Sequence, residues 1–324
     1  MFDKFNKFGN HFLPMPESVV KGLEHEAKIL DFEILKELGS GSLGNVYLVK
    51  HKETKAEYAI KAIEKRNKIL VEEENFRRMV EDIYKINHPN IIKLFGHFED
   101  NNYYYFIMEY ISKGNVDNFI AEKKRRHTKI CASIIKDVIC AVYFLHNMKP
   151  PIINIDIKPE NVLLSEGLVA KLADLSCNHY IIKEHSLREN IAACSKCIYL
   201  APEILQRKEG DEDADIWRIG VLLFELITGT FPFEGDLTTT IDNILKLKIK
   251  WPKDINNDAK NLIMKILKLE PKQRLPLESM LKHPFIAKYF PDATKYLIKP
   301  EEGVKYKPFI VCKDDPKTLK PEKI

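Results

Sequence analysis

The sequence predicts an α+β fold in which a small, strand-rich lobe is followed by a larger, mainly helical lobe. Apolar and polar residues alternate in short segments from Asp31 to about Ile111, as expected for strands with one buried face. After Gly114 the apolar residues recur every three or four positions, which is the spacing of a buried helix face. The 324 residues are enough for about two domains or one two-lobed unit.

Five strands and one long helix are predicted in the small lobe. The first three strands lie in DFEILKEL, NVYLVKH and AEYAIKAI, and the polar turn KETKA joins the last two as an antiparallel pair. A charged helix is predicted from about Lys65 to Ile86. Two further strands follow in HPNIIKLFGHFED and YYYFIMEYI.

Helices are predicted throughout the large lobe. The pattern is clear in KICASIIKDVICAVYFLHN, where the apolar face contains Ile130, Ile134, Val138, Val142 and Leu145. The same periodicity predicts helices in DADIWRIGVLLFELITG and DAKNLIMKILKL.

Changes in composition divide the chain into four parts. We predict an N-terminal tail (1–30), an N-lobe (31–111), a C-lobe (112–290) and a Lys- and Pro-rich C-terminal tail (291–324) that is partly extended. The N-terminal tail is either loosely ordered or a docking helix, because four phenylalanines could lie on one helical face: Phe2, Phe5, Phe8 and Phe12.

The composition is that of an ordinary globular protein and argues against several functions. A net charge of +4, from 51 basic and 47 acidic residues, gives no support to nucleic-acid binding as the main activity. The apolar runs are far shorter than the roughly 18 residues of a membrane span, and the N-terminus lacks a secretory signal pattern. We therefore expect a cytoplasmic or nuclear chain with no membrane partner.

The six cysteines indicate neither a metal site nor a disulfide framework. They are scattered, and the close pair Cys194 and Cys197 has no second pair or histidine at zinc spacing. Reduced thiols are expected.

The segment GSGSLGNV carries Gly39, Gly41 and Gly44 in G-x-G-x-x-G-x-V spacing. Glycines let the backbone approach phosphate oxygens and present N–H groups to them. A dinucleotide-binding Rossmann motif is the rival interpretation, but it needs a helix directly after the third glycine. The residues from Val46 to Val49 favour a strand instead, so the segment is predicted to be a hairpin over a nucleotide.

A series of polar residues follows this hairpin in the chain. Lys61, in YAIK, ends a predicted strand where its ammonium could hold the α- and β-phosphates. An isolated strand lysine is usually a solvated surface group. The phosphate-binding interpretation of Lys61 is therefore supported only by the remaining members of the series. These are Asp156, Lys158 and Asn161 in DIKPEN, Asp174 in ADLS, and Ala201, Pro202 and Glu203.

In this order the motifs resemble those of the eukaryotic protein kinases over about residues 31–290. The segments DFEILKELGSGSLGNVYL, LFGHFED and EPKQRLPLESMLKHPFI are most similar to Aurora-type Ser/Thr kinases. The resemblance implies a two-lobed protein-kinase-like fold, with a five-stranded antiparallel sheet and one main helix in the small lobe. It also implies ATP and Mg²⁺ as cofactors.

The resemblance implies roles for individual residues. Asp156 would accept the proton of the substrate hydroxyl, and Lys158 would neutralise the transferring γ-phosphoryl group. Asn161 and Asp174 would hold magnesium. The expected adenine contacts are the gatekeeper Met108, the hinge residues Glu109 and Ile111, and the sandwiching residues Val46, Ala59 and Leu163. Asp215 and the pair of Glu203 with Arg274 would be structural.

Several positions depart from the family pattern in a way that indicates lost control by phosphorylation. Asn154 and Ile155 replace the His-Arg that precedes the catalytic aspartate, and Ile155 cannot bind a phosphate as arginine would. Ala192 stands where Aurora-like activation loops carry the phosphorylated threonine. The residue that would accept the phosphate and the residue that would bind it are therefore both missing.

Other departures affect alignment of the catalytic groups. Met79 replaces the helical glutamate that orients Lys61, which could instead pair with Glu72 or Asp174. Leu175 and Ser176 replace the Phe-Gly after the metal-binding aspartate. Lys196 replaces a threonine, and its ammonium either reaches Asp156 or extends to solvent.

These observations leave two functional hypotheses. The first is an ATP-binding Ser/Thr protein kinase that is slow and is not controlled by activation-loop phosphorylation. The second is a pseudokinase that acts as a nucleotide-binding or scaffolding module. A small-molecule kinase is disfavoured by Ala201-Pro202-Glu203 and the long C-lobe. The expected partner is a protein substrate or a scaffold partner, and family resemblance alone raises association with the cytoskeleton or spindle as a hypothesis.

Overall fold

The structure is a computed structural model, and its contacts divide the chain into two compact units. The first unit is formed by described residues within 1–67, 94–110 and 306–324, and the second by those within 68–93 and 111–305. The described residues are 28–41, 44–66, 80–122, 127–153, 156–174, 197–206, 208, 211–301 and 311–313.

The first unit contains the five-stranded antiparallel sheet that the sequence predicts. Its spatial order is β1-β2-β3-β5-β4. The predicted fourth strand is shorter than its segment, because 88–93 form a turn and an irregular stretch before it. The strands are β1 (Phe32–Gly41), β2 (Gly44–His51), β3 (Glu57–Glu64), β4 (Leu94–Glu99) and β5 (Tyr103–Glu109).

One face of this sheet carries the core of the first unit. Side chains alternate between the faces of a strand, so Tyr58 and Ile60 on β3 lie on the same face as Ile107 on β5. Aromatic pairs strengthen the packing, and the rings of Phe98 and Tyr105 stack with centroids 4.7 Å apart. The buried residues of this core are Phe32, Val49, Tyr58, Ile60, Phe95, Phe98, Tyr105 and Ile107.

The second unit is mainly helical, as predicted. Short polar side chains begin four of its helices, because Asn115, Asp211, Asp236 and Asn256 each accept a hydrogen bond from a backbone N–H in the first turn. The helices are α1 (Val116–Ala121), α2 (Thr128–His146), α3 (Pro202–Leu205), α4 (Glu212–Thr228), α5 (Leu237–Leu245), α6 (Asn257–Ile266), α7 (Leu277–Leu281) and α8 (Pro284–Ala287).

Helices α2 and α4 form the centre of the helical core, and most of their residues are buried. Gly229 ends α4 in the left-handed conformation, at φ 68°, which a glycine adopts without strain. Of the helix predicted from Lys65 to Ile86, residues 80–84 are described and helical. None of the described helices is long and apolar enough to cross a bilayer.

A two-stranded antiparallel hairpin packs on this helical core. It consists of β6 (Val162–Leu164) and β7 (Ala170–Leu172), and it begins directly after a 3₁₀ turn at Pro159–Asn161. Val162, Leu164, Ala170 and Leu172 are buried against the helices. The hairpin therefore fixes the residues that precede β6 and follow β7.

A sixth strand, β8 (Val311–Lys313), pairs in parallel with β4 at the edge of the first sheet. The sequence analysis predicts only a partly extended C-terminal tail, so this pairing is an addition to the expected five strands. It covers a sheet edge whose backbone groups would otherwise lack partners on that side.

Candidate functional site

The glycine-rich hairpin lies in the first unit, where β1 turns into β2. Gly41 pairs with Gly44, and Gly39 pairs with Val46. A Cβ atom on Gly44 would lie 2.0 Å from the carbonyl oxygen of Ala62, and the φ of Gly44 is +149°. Only glycine fits there without a shift of the backbone.

The other two glycines leave the backbone uncovered. No described atom lies within 4 Å of a Cβ built on Gly39, and the nearest to one on Gly41 is the Gly44 oxygen at 3.8 Å. Space therefore exists beside both for a group that approaches the main chain. This is the property that a phosphate-binding loop requires.

Lys61 lies on the face of the sheet opposite the aromatic core. It pairs across the strands with Val46 on β2 and Phe106 on β5. Two residues earlier, the buried Ala59 lies between Leu48 and Met108 on the same face. Three predicted adenine contacts, Val46, Ala59 and Met108, thus share one apolar surface with the half-buried Lys61.

The predicted hinge follows β5. Glu109 is the last residue of the strand and is half-buried, as is Ile111. These two residues belong to different compact units, since the division falls between Tyr110 and Ile111. The segment therefore connects the units along the chain.

Asp156, Lys158 and Asn161 form one hydrogen-bonded group in the second unit. The Lys158 ammonium forms an ion pair with Oδ2 of Asp156. The Asn161 amide Nδ2 donates to both the main-chain oxygen and Oδ2 of Asp156, each at 2.9 Å. The Asp156 side chain is 37% exposed, so solvent reaches its carboxylate.

Asn161 and Asp174 are brought together by the β6–β7 hairpin. Asn161 directly precedes β6, and the N–H of Ala173 donates to the Asn161 main-chain oxygen at 2.9 Å. Asp174 is the next residue and is half-buried. The hairpin therefore places an amide oxygen and a carboxylate, both of them hard oxygen ligands, at neighbouring positions of the backbone.

Leu163 lies on β6 between two buried residues and points to the other face of the hairpin. It pairs with Lys171 and is half-buried. The N–H of Leu164 donates to the oxygen of Gly114 at 2.9 Å, which ties the hairpin to the segment before α1.

The predicted structural pair of Glu203 and Arg274 is confirmed. Arg274 donates from Nη1 to Oε1 and from Nη2 to Oε2 of Glu203, at 2.7 and 2.6 Å, and both residues are buried. The guanidinium also donates to the oxygens of Asp213 and Lys268 and lies over the Trp217 ring. This bidentate geometry is characteristic of strong arginine–carboxylate pairs.

Asp215 is fully buried and has two hydrogen-bonding neighbours, Arg218 and His146, that the sequence does not predict. His146 Nε2 lies 2.9 Å from Oδ2, and Arg218 Nη1 donates to Oδ1 at 2.7 Å. Arg218 lies one turn after Asp215 on α4, so its spacing in DIWR offered a signal. His146 ends α2, and only the fold brings it to α4.

The turn at His88-Pro89-Asn90 fastens β7 and is also missed by sequence reasoning. Asn90 Nδ2 donates to the oxygen of Ala170 at 3.0 Å, and the N–H of Leu172 donates to the Asn90 oxygen at 2.9 Å. His88 Nδ1 accepts from the Asn90 N–H at 3.1 Å. Burial, assisted by the positive charge of Lys171, lowers the pKa of His88 to about 4, so its ring is neutral at pH 7.

Seven of the departures from the family pattern fall outside the described residues. They are Met79, Asn154, Ile155, Leu175, Ser176, Ala192 and Lys196, together with the alternative partner Glu72.

Comparison with known proteins agrees with this arrangement. The family model for the protein kinase domain matches residues 32–286. An Aurora kinase from Yarrowia lipolytica is 37% identical over 283 residues, which are 86% of this chain and 74% of that protein. The Aurora kinase of Saccharomyces cerevisiae is 38% identical over 263 residues, 81% of this chain and 70% of that protein. Aurora kinase A-A from Xenopus laevis is 36% identical over 261 residues.

Proposed function

Because the chain belongs to the protein kinase family, we propose that it transfers the γ-phosphoryl group of ATP to serine and threonine hydroxyls of other proteins. The observation that carries this proposal is the hydrogen-bonded group of Asp156, Lys158 and Asn161. It keeps a partly exposed carboxylate, an ammonium and an amide together. Phosphoryl transfer depends on positioning and electrostatics, so a fixed group of these three side chains suits it.

Each residue has a task in the proposed reaction. Asp156 accepts the proton of the substrate hydroxyl, and Lys158 offsets negative charge on the γ-phosphoryl group. Gly39, Gly41 and Gly44 allow the hairpin backbone to approach the phosphates, and Lys61 binds the α- and β-phosphates. The family resemblance assigns the adenine contacts to Val46, Ala59, Met108 and Leu163, and the hydrogen bonds of the hinge backbone to Glu109 and Ile111.

Asn161 and Asp174 fit a magnesium ion by the chemistry of their donor atoms. Because Asn161 Nδ2 donates to Asp156, its oxygen Oδ1 is the end that suits a cation. Magnesium is commonly held by one or two carboxylates and the phosphates of the substrate, and such an ion supplies neutralisation of phosphate charge.

We further propose that turnover is slow and independent of activation-loop phosphorylation. Met79 cannot supply the carboxylate that orients the strand lysine in the family. Ile155 lacks the cationic group that would bind the regulatory phosphate, and Ala192 lacks the hydroxyl that would accept it. Loose alignment lowers the rate without removing the groups that contact ATP.

A pseudokinase scaffold is the second candidate, and one contact favours it. Oδ2 of Asp156 accepts hydrogen bonds from both Lys158 and Asn161. These two bonds occupy one oxygen of the carboxylate that would have to accept the substrate proton. In this case the chain would bind nucleotide and act through its surface.

Two measurements separate the candidates. A thermal shift with ATP and Mg²⁺ tests nucleotide binding, and transfer of labelled phosphate to a generic basic protein tests catalysis. Transfer that disappears in Asp156→Ala supports the kinase and excludes the scaffold. ATP binding with transfer equal to that of Asp156→Ala excludes the kinase and supports the scaffold.

Partners and location follow from the same proposal. A protein kinase requires a protein substrate, and relatives named Aurora kinase suggest association with the spindle or cytoskeleton. Co-sedimentation of the full chain with microtubules tests that association. A chain that stays entirely in the supernatant at saturating microtubule concentration would contradict it.

A further inference from the structure

Helix α2 carries two adjacent charged residues that are buried and that the proposed reaction does not use. Lys136 and Asp137 are only 8% and 3% exposed. The Lys136 ammonium lies 2.5 Å from Oδ1 of Asp137. Charged side chains are seldom this buried unless they are paired, so the two residues depend on each other.

The other side of Lys136 faces the chain after α8. Its ammonium lies 4.6 Å from the ring centroid of Tyr296 and 5.4 Å from that of Phe290. Aromatic faces attract cations and also exclude water. Burial alone would lower the pKa of Lys136, but Asp137 raises it above its ordinary value, so the ammonium is charged.

The other side of Asp137 faces the start of β7. Its Oδ2 accepts the N–H of Ala170 at 3.0 Å. The side chain of Asn90 bonds to Asp137 and also donates to the oxygen of Ala170 at 3.0 Å. Both backbone groups of Ala170 are therefore held by side chains from outside the hairpin.

The end of β7 leads to the predicted magnesium ligands. Ala173 donates its N–H to the Asn161 oxygen, and Asp174 follows directly. A continuous path of contacts thus runs from Tyr296 through Lys136 and Asp137 to β7, which ends two residues before Asp174. Every distance along this path lies within the second unit.

We propose that Lys136 and Asp137 are positioning residues that tie the C-terminal segment 290–296 to β7 and so hold Asp174 and Asn161 in place for magnesium. The effect on magnesium rests on the proposed kinase function, whereas the effect on β7 does not. A buried ion pair seldom adds much net stability over apolar residues of similar volume, so specification of the β7 position is the better account of its presence.

Amide hydrogen exchange of the full chain, without nucleotide, tests the tie to β7. Tyr296→Ala uncovers the Lys136 ammonium, while Tyr296→Phe keeps the ring and serves as the matched control. The Tyr296 side chain lies at the surface, so both variants should fold. We expect exchange at Ala170 and Leu172 to become about tenfold faster in Tyr296→Ala and to stay unchanged in Tyr296→Phe.

A second variant removes the pair without leaving a buried charge. Lys136→Met with Asp137→Asn keeps the volumes and retains an oxygen that can accept from Ala170. Its reference is Ile244→Ala in α5, a cavity variant that reports general destabilisation. Each variant is measured at the same number of degrees below its own melting temperature. Faster exchange of the β7 amides in the double variant than in Ile244→Ala supports the tie. Equal exchange in the two variants overturns it.

A magnesium titration tests the link to the metal. The quantity measured is the magnesium concentration that gives half of the ATP-dependent thermal shift. Loss of a group that orients a ligand typically costs 10- to 100-fold in metal affinity, so we expect this concentration to rise about tenfold in the double variant and to be unchanged in Ile244→Ala. If the double variant shows faster β7 exchange but an unchanged half-maximal magnesium concentration, the positioning role is overturned. If the wild-type chain binds no ATP, the proposed function fails, and the exchange result still decides the tie.

Discussion

At the level of single residues, Gly44 shows how the lack of a side chain allows the tight turn of the glycine-rich hairpin. Its φ of +149° and the 2.0 Å approach of the Ala62 oxygen leave no room for a Cβ atom. Gly39 has open space at the same hairpin, so packing does not require a glycine there, and we propose that it serves ligand access. The two positions therefore separate the structural from the functional need for glycine.

We predict different effects for alanine at these two positions. Gly44→Ala should lower the free energy of unfolding by about 2 kcal/mol, because it combines backbone strain with a clash against β3. Gly39→Ala should change stability by less than about 1 kcal/mol but weaken ATP binding. Urea denaturation and ATP titration measure the two effects. Equal stability loss in both variants would contradict this assignment.

His88 gives a residue-scale prediction for pH. Its folded pKa is about 4 and its ordinary pKa is 6.5, so between these values the unfolded chain binds more protons than the folded one. Stability should therefore fall as the pH drops below 6.5, by about 2.5 kcal/mol at pH 4.5 from this group. Urea midpoints at pH 7 and 4.5 measure it. The difference between the two midpoints should be smaller in His88→Gln than in the wild type. An equal difference would rule out His88 as the source of the pH dependence.

At the level of elements, the β6–β7 hairpin organises the candidate site of the second unit. Asn161 precedes it, Asp174 follows it, and Leu163 lies on it. Side chains from Asn90 and Asp137 hold its second strand. The hairpin thus places three predicted site residues through two short strands that are attached to the helical core.

The pair of Glu203 and Arg274 supports a prediction at this level. Glu203→Gln leaves the buried guanidinium without its counter-charge and should cost about 3 to 5 kcal/mol of stability. Combining it with Arg274→Met should recover part of that loss, because no buried charge remains unpaired. Chemical denaturation of both variants measures this. A double variant less stable than Glu203→Gln would show that the contacts of Arg274 with Asp213 and Lys268 dominate.

The edge strand β8 leads to a prediction about exchange. Removing residues 302–324 takes away the partner of β4 at His97, Phe98 and Glu99. Amides at this edge should exchange faster in the truncated chain, while those of α4 in the other unit should be unchanged. Hydrogen exchange with residue resolution measures it. Unchanged protection at 97–99 would mean that β8 contributes nothing to this edge.

At the level of the whole molecule, the sequence predicts what depends on local pattern. Alternation predicts β1 to β5, helical periodicity predicts α2, α4 and α6, and motif order predicts the kinase family. Contacts between distant segments are not predicted. Lys136 and Asp137 resemble a solvated pair on a helix until the fold buries them, and β8 lies in a Lys- and Pro-rich tail without alternation.

The same limit applies to the candidate site. Motif spacing predicts Asp156, Lys158 and Asn161, because they are neighbours in the chain as well as in space. It does not predict His146 beside Asp215, or Asn90 beside Ala170, because those partners are 69 and 80 residues apart. Motif spacing thus predicts the candidate catalytic residues but not the distant residues that position them.

We propose that this chain still transfers phosphate through Asp156 although groups that align the reaction have changed. Single-turnover transfer from labelled ATP and Mg²⁺ to a basic protein tests it most directly. The comparison is between the wild type, Asp156→Asn and the exposed control Asp254→Asn. We predict at least about a 100-fold slower rate in Asp156→Asn only, because a general base contributes this much. Equal rates in all three proteins, with ATP bound in each, would contradict the claim.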